Sequence, residues 1–301
     1  MEEQSNIIKK LVFRLVRKHI AGSTSGAVLK VVRDLNSKGF HTTVTLLNDH
    51  VEDQTKARYN TNAYIQSIRQ LSRLHLNSDM SIRLSQIGAG IEASLLSRNM
   101  HDIVGVANSC RQRLWIESEP KGNGSAISMY RKLRPRAPLL GIEMRPDYAE
   151  DVDDNPVLRM ASNNDIIKLM APIAERERNG TGGRSMFKAY KEYIDRLMDK
   201  KASLTIIEDD PKLINRIIST GKDYKRNLIF EIPLGYSGRK LAELQKSKLN
   251  LSVYVPYGKD WIPYFINRLA EGRVRNIAVA LLNGEKSSVG LNVRNEDAKA
   301  G

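Results

Sequence analysis

The sequence predicts a (β/α)8 barrel, an α/β fold in which eight parallel strands alternate with helices. Three observations lead there. Short aliphatic or β-branched runs bounded by turn residues recur, starting near 42, 80, 113, 138, 157, 204, 228 and 251. Stretches with a 3.6-residue apolar period lie between most of them. Nearly every run also ends in charged or amide residues. Strict alternation needs crossover connections, which make the sheet parallel, and eight units are the number that closes it. The 301 residues hold one barrel of roughly 250 residues plus extensions. Residues 1–38 are expected as N-terminal helices packing on or capping the barrel, 39–285 as the barrel, and 286–301 as a polar tail.

The elements follow in order. Ile7, Ile8, Leu11 and Leu15 recur at helical spacing across 5–20, opposite a basic face, and Gly22 and Gly26 break that helix. A second helix spans 27–36 and stops at Lys38-Gly39. Thr42–Leu47 reads as the first strand, with a long amphipathic helix over about 53–75. Met80–Leu84 is the second strand, with a helix near 92–110. Arg113–Ile116 is the third, with a helix near 125–134, and Pro138–Met144 the fourth. Leu158–Ala161 reads as the fifth, before a helix near 185–200. Leu204–Ile207 is the sixth, with Pro211 opening the next helix, where a missing N–H costs nothing. Leu228–Ile232 is the seventh, with a helix near 238–247. Leu251–Val255 is the eighth, stopped by Pro256 and Gly258, with Trp261–Glu271 as the last helix.

In this fold the site lies at the C-terminal ends of the strands. Those ends carry Asn48-Asp49, Arg83, Glu117-Ser118-Glu119, Glu143, Arg159, Glu208-Asp209-Asp210, Glu231 and Tyr254, a polar set that argues for a ligand cavity. Arg83 stands between Ile82 and Leu84, so its guanidinium needs an anionic partner. Glu117 on the third strand lies at the matching level, and Asp49 competes from the first. Arg268, on the helix behind the last strand, is placed to grip a small carboxylate.

Composition narrows the classes. The net charge of +14, from 48 Lys+Arg against 34 Asp+Glu, invites nucleic acid or an acidic membrane surface as a partner. No nucleic-acid motif accompanies it, and only 6% of residues are aromatic, so nucleic acid is not expected; peripheral membrane contact stays open. One cysteine, Cys110, excludes an internal disulfide, and no metal-ligand spacing is present. No apolar run reaches the ~20 residues of a bilayer span. Met1 to Ser5 do not open a secretory leader, and a cytoplasmic protein is expected. The loop 179–185 reads as a linker rather than a phosphate cradle, and of five histidines only His50 lies near a strand end.

The stretch Val253-Tyr254-Val255-Pro256-Tyr257-Gly258, with Trp261, Tyr264, Arg268, Leu269 and Glu271, resembles the last strand and helix of the proline dehydrogenase barrel. Met80–Gly88 is similar to the second strand of that family, with Arg83 where the family has a lysine. Leu114–Glu119 resembles the third, with Glu117 for an aspartate, and Ile206–Pro211 the sixth, with Asp209 for a histidine. The first strand has Leu47-Asn48-Asp49 for Leu-Gly-Glu. Asn267-Arg268 replaces a pair of arginines, and Leu158–Asn164 lacks the lysine and tyrosine of the Arg-Leu-Val-Lys-Gly-Ala-Tyr run on strand five.

The resemblance implies FAD-dependent oxidation of L-proline, or a related cyclic imino acid, to pyrroline-5-carboxylate or its analogue, with an acceptor such as a quinone. It implies catalytic roles for Arg83 and Tyr254. It implies substrate contacts from Arg268, Asn267, Tyr254, Glu271 and Asp49, and flavin contacts from Arg83, Glu117, Arg159 and Asp209. The cofactor-facing departures leave a second reading open, a barrel of the same fold that binds a small carboxylate without flavin.

Overall fold

Eight strands pair in parallel and in chain order, and the eighth returns to the first, so the sheet is a closed barrel. They are β1 (His41–Leu47), β2 (Ser78–Ile82), β3 (Leu114–Ile116), β4 (Leu140–Met144), β5 (Ile166–Met170), β6 (Ser203–Ile207), β7 (Ile229–Pro233) and β8 (Asn250–Gly258). The computed structural model describes residues 17–48, 51–119, 123–144, 158–159, 161–162, 164–170, 183–221, 223–236 and 238–261.

Helix α1 (Ser25–Ser37) precedes β1, and α2 (Gln54–Arg73), α3 (Ala93–Ser109), α4 (Asn123–Leu133), α5 (Gly183–Asp199), α6 (Pro211–Thr220) and α7 (Gly238–Lys246) lie in crossovers, with a short helix at Tyr224–Asn227. Their starts are locally encoded. Thr24, Asp53 and Asp210 each accept a first-turn N–H, from Ala27 at 3.2 Å, Lys56 at 2.7 Å and Lys212 at 3.1 Å. A cap of this kind stabilises a helix by about 1 kcal/mol. The outward strand residues, among them Val44, Ile82, Ile142, Leu169, Phe230 and Val253, are buried in one continuous core with Tyr64, Ile68, Met100, Ile103, Tyr130 and Tyr193 of the helices.

The inward residues are another population. Thr43, Thr45, Ser81, Lys168, Thr205, Glu231 and Ser252 are all buried. Barrels of this class usually fill their interior with branched aliphatics. Here that space is polar, and each group must therefore find a partner inside.

Three boundaries differ from the sequence reading. The fifth strand is Ile166–Met170, not Leu158–Ala161; Leu158 and Arg159 are helical, and Arg159 is exposed. The strand has a lysine at its centre, and its burial pattern is nevertheless unbroken. The second strand ends at Ile82, and Leu84–Ile87 forms a 3-10 turn after it. The eighth strand runs through Pro256 to Gly258 and pairs with β1 from Ser252 to Gly258, along the whole of β1. Proline survives there because the β7 ladder ends at Tyr254, so the missing N–H is not needed on that side, and its carbonyl accepts from Ala21 N–H at 2.8 Å. Gly258 has φ 138°, and a Cβ there would meet the Leu47 carbonyl, so only glycine lets the two strand ends approach.

Residues 17–24, ahead of α1, lie at the C-terminal ends of β7 and β8. His19 Nδ1 is 2.7 Å from the Leu234 carbonyl, and Gly258 N–H donates to the Gly22 carbonyl at 2.9 Å. Helix α1 then packs outside the barrel against β1 and β8. The expected helix over 5–20 lies largely outside the described residues. The final helix beyond Trp261, the tail, His50, Asp49 and most of the glycine-rich loop lie outside them as well.

Candidate active site

Glu117 is the node around which the mouth of the barrel is built. It follows β3, and its N–H donates to the Ile82 carbonyl at 2.9 Å, which sets it level with Arg83. Arg83 Nε donates to Glu117 Oε2 at 2.8 Å. Tyr254 O–H donates to Glu117 Oε1 at 2.8 Å, and Thr45 Oγ1 donates to the same oxygen at 3.0 Å. The ion pair expected from the sequence therefore forms, with side chains 15% and 7% exposed. Burial by itself would push the Glu117 carboxyl up. The Arg83 charge and the hydrogen bonds from Arg83, Tyr254 and Ser81 outweigh it and hold the group at about 2, an anion under all ordinary conditions.

One layer deeper, Lys168 Nζ bonds both carboxylate oxygens of Glu231, at 2.9 and 2.7 Å. Thr43 Oγ1 donates to Glu231 at 2.6 Å. Lys168 also stands 4.5 Å above the Trp115 ring, so the buried ammonium is held by a carboxylate and by the face of an indole. Sequence reasoning missed this lysine by placing the strand too early. Its one signal was a cation inside an unbroken apolar run, Ile166-Ile167-Lys168-Leu169-Met170. The resemblance expects a lysine on strand five, and Lys168 supplies one there. That corrects the expectation that the strand lacks it.

The other expected residues divide. Asp209 lies after β6, where its N–H and that of Asp210 both donate to Glu208 Oε1 at 2.8 Å. The Asp209 carbonyl accepts from Tyr236 O–H. Burial, reinforced by the Asp209 charge, raises the Glu208 carboxyl to about 8, so at neutral pH it is largely protonated. Arg159 is on the short helical segment before β5 rather than on a strand end. Asp49, Asn267, Arg268 and Glu271 lie outside the described residues. Among the described residues the structure thus joins Arg83, Glu117 and Tyr254 in one cluster, with Thr45 added. It leaves Asp209 at another strand end and Arg159 away from the mouth.

No protein-family model matches the chain. Proline dehydrogenase 2 of Bacillus subtilis (strain 168) is 28% identical over 274 residues, covering 87% of this chain and 88% of its own. Proline dehydrogenase 1 of the same strain is 25% identical over 277 residues, 88% of this chain and 89% of its own. The chain is similar to these proline dehydrogenases over most of its length. The proline utilization A protein of Bdellovibrio bacteriovorus superposes with a TM-score of 0.76 at 14% identity, over 94% of this chain. The chain spans only 35% of that protein. A likeness at that identity speaks for the fold alone, and it agrees with the closed eight-stranded barrel. Arg83 on strand two, Glu117 after strand three, Lys168 on strand five and Tyr254 on strand eight stand where the resemblance expects a lysine, an aspartate, a lysine and a tyrosine.

Proposed function

We propose that the chain is a flavin-dependent oxidoreductase that converts L-proline, or a closely related cyclic imino acid, to the imine, pyrroline-5-carboxylate for proline itself. The observation that carries this reading is the Glu117 node. A permanently ionised carboxylate fastens a guanidinium from β2 and a phenol from β8 at one level of the mouth. Such a frame gives rigid walls to a small, charged, non-aromatic substrate, because each side chain is held by a partner rather than by solvent.

The donor set also suits a flavin. Arg83 is a fixed cation 15% exposed at the mouth, and positive charge near a flavin ring favours its reduced form. FAD, when bound, would accept the two electrons removed from the C–H bond next to the ring nitrogen. The protein's own part is to place that carbon. Tyr254 walls the substrate pocket and Arg83 lies beside substrate or flavin, while Glu117 keeps both in place. Arg268 takes the substrate carboxylate with Glu271 behind it and Asn267 where the family has a second arginine. Asp49 lines the substrate side. Arg159 and Asp209 are weaker candidates for flavin contacts, given where they lie. Electrons would leave to an acceptor such as a quinone, and the cytoplasm is the proposed location. Among the described residues no helix is long and apolar enough to cross a membrane.

The absorption spectrum of the purified full-length chain after incubation with FAD tests this reading. Flavin bands near one equivalent, bleached by L-proline without oxygen, are expected. A colourless protein that gains no flavin but still binds proline in calorimetry would overturn it in favour of a carboxylate-binding barrel.

A further inference from the structure

Behind the mouth, between β1, β2 and α2, lies a set of buried polar side chains that the proposed chemistry does not use. Asn60, Tyr64 and Gln86 are fully buried, and Asn99 is 1% exposed. Burying so many polar groups is unfavourable unless each is satisfied. Most of their bonds go to one another and to a single short segment; besides these, Asn60 bonds Asn48, and Asn99 Oδ1 accepts from Arg58 Nη1 at 3.2 Å. Gln86 Nε2 donates to the Leu46 carbonyl near the end of β1 at 3.0 Å, and its Oε1 accepts from Tyr64 O–H. Asn60 Nδ2 donates to the Gln86 carbonyl at 3.0 Å, and Asn99 Nδ2 donates to the Ile87 carbonyl at 3.0 Å. Arg83 N–H points at the Tyr64 hydroxyl at 3.5 Å, and Gln86 N–H donates to the Arg83 carbonyl at 3.1 Å. Apart from the Asn48 and Arg58 contacts, every one of these bonds is made to, or from, residues 83–87.

That segment is the 3-10 turn immediately after Arg83. It has few ladder bonds of its own, since β2 has ended, and Gly88 leaves it in a left-handed conformation at φ 111°. Leu84 and Ile87 pack it into the core, and the side-chain network adds directional bonds to that packing. With it, the backbone that carries Arg83 is fixed from behind while Glu117 fixes the guanidinium from the front.

We propose that Tyr64 and Gln86, supported by Asn60, are positioning residues for Arg83: they hold the strand-two turn so that the guanidinium meets Glu117 and faces the reacting ligand. This rests on the oxidoreductase reading for its kinetic consequence but not for its geometry. Tyr64→Phe removes one hydroxyl and no packing volume. Ser67→Ala is the comparison, because Ser67 lies on the same helix and bonds the Tyr257 hydroxyl at 2.7 Å, away from the turn.

Two readouts are taken on the full-length, FAD-loaded chain. The first is kcat/KM for proline. The second is the NMR resonance of the Arg83 Nε–H, which a bond to a buried carboxylate shifts and protects from exchange. For Tyr64→Phe, kcat/KM is expected to fall between about tenfold and a hundredfold, the scale of a small misplacement, and the Arg83 resonance to lose its protection. Ser67→Ala is expected to keep both while losing comparable melting temperature. A Tyr64→Phe protein that keeps the rate, or keeps the resonance while losing the rate, overturns the proposal. If Tyr64→Phe does not fold, Gln86→Met is read by the same criteria. If the wild type does not oxidise proline, the functional reading fails, and the resonance alone decides whether the turn is positioned.

Discussion

At the residue scale the Arg83–Glu117 pair settles how the mouth is held. Two buried charges 2.8 Å apart stabilise little by comparison with an apolar pair of the same size, but removing one strands the other at a cost of about 3–5 kcal/mol. Glu117 has two further donors, Tyr254 and Thr45, so its loss takes an acceptor from three groups at once, whereas loss of Arg83 leaves one carboxylate with two neutral donors. Glu117→Ala is therefore expected to destabilise more than Arg83→Met, and the double variant to recover much of the Glu117→Ala loss. Chemical denaturation of the three variants gives the coupling energy directly. Additive losses would mean that the two side chains do not depend on each other.

At the element scale β5 is the strand that sequence reasoning misplaced, and its charge makes the strand testable. Lys168 is fully buried and meets Glu231 of β7 across the barrel. Lys168→Met takes the counter-charge from the buried Glu231 carboxylate and leaves it the neutral Thr43 hydroxyl. The expected loss is again about 3–5 kcal/mol, and pairing it with Glu231→Gln should restore part of the stability. If residue 168 were a solvent-facing position, as a lysine usually is, Lys168→Met would change the denaturation midpoint by little, near the ±0.5 kcal/mol of a surface substitution.

At the scale of the whole molecule, polar contacts run through the barrel interior from end to end. At the N-terminal end, His41 Nε2 lies 3.1 Å from Asp79, in ion-pair contact, and its Nδ1 is 2.7 Å from Asn77 Oδ1. Asp79 also accepts from Trp115 Nε1 at 2.8 Å, with Arg113 at 3.9 Å. Trp115 lies under Lys168, which pairs with Glu231, itself bonded to Thr43. Burial lowers the affinity of His41 for its proton, but Asp79 and Asn77 outweigh both burial and the Arg113 charge, and the pKa ends above the ordinary 6.5. A raised folded-state pKa stabilises most below the unfolded value and is lost as pH rises through the folded value. Wild type is thus expected to exceed His41→Gln in melting temperature most clearly below pH 6.5, with the gap closing as the pH rises above it. Thermal melts across that range check this; a gap that widens with pH would reverse the assignment.

The barrel was legible from the sequence because strand and helix periods are local properties, written in side chains a few residues apart. Seven strands were placed to within a few residues, and the Arg83–Glu117 pair followed from one rule, that a cation between two apolar residues at a strand end needs a counter-charge. The fifth strand was not legible, because the burial of Lys168 depends on Glu231, which is remote in sequence and becomes adjacent only when the sheet closes. Pro256 and Gly258 read as a stop for the same reason. Whether a proline or glycine ends a strand depends on the neighbour, and only the closed barrel brings Leu47 and Ala21 against them. Spacing along the chain determined the order and kind of the elements. Tertiary structure decided which polar groups meet, because an ion pair or a hydrogen bond inside a barrel depends on distances across it, which no local pattern encodes.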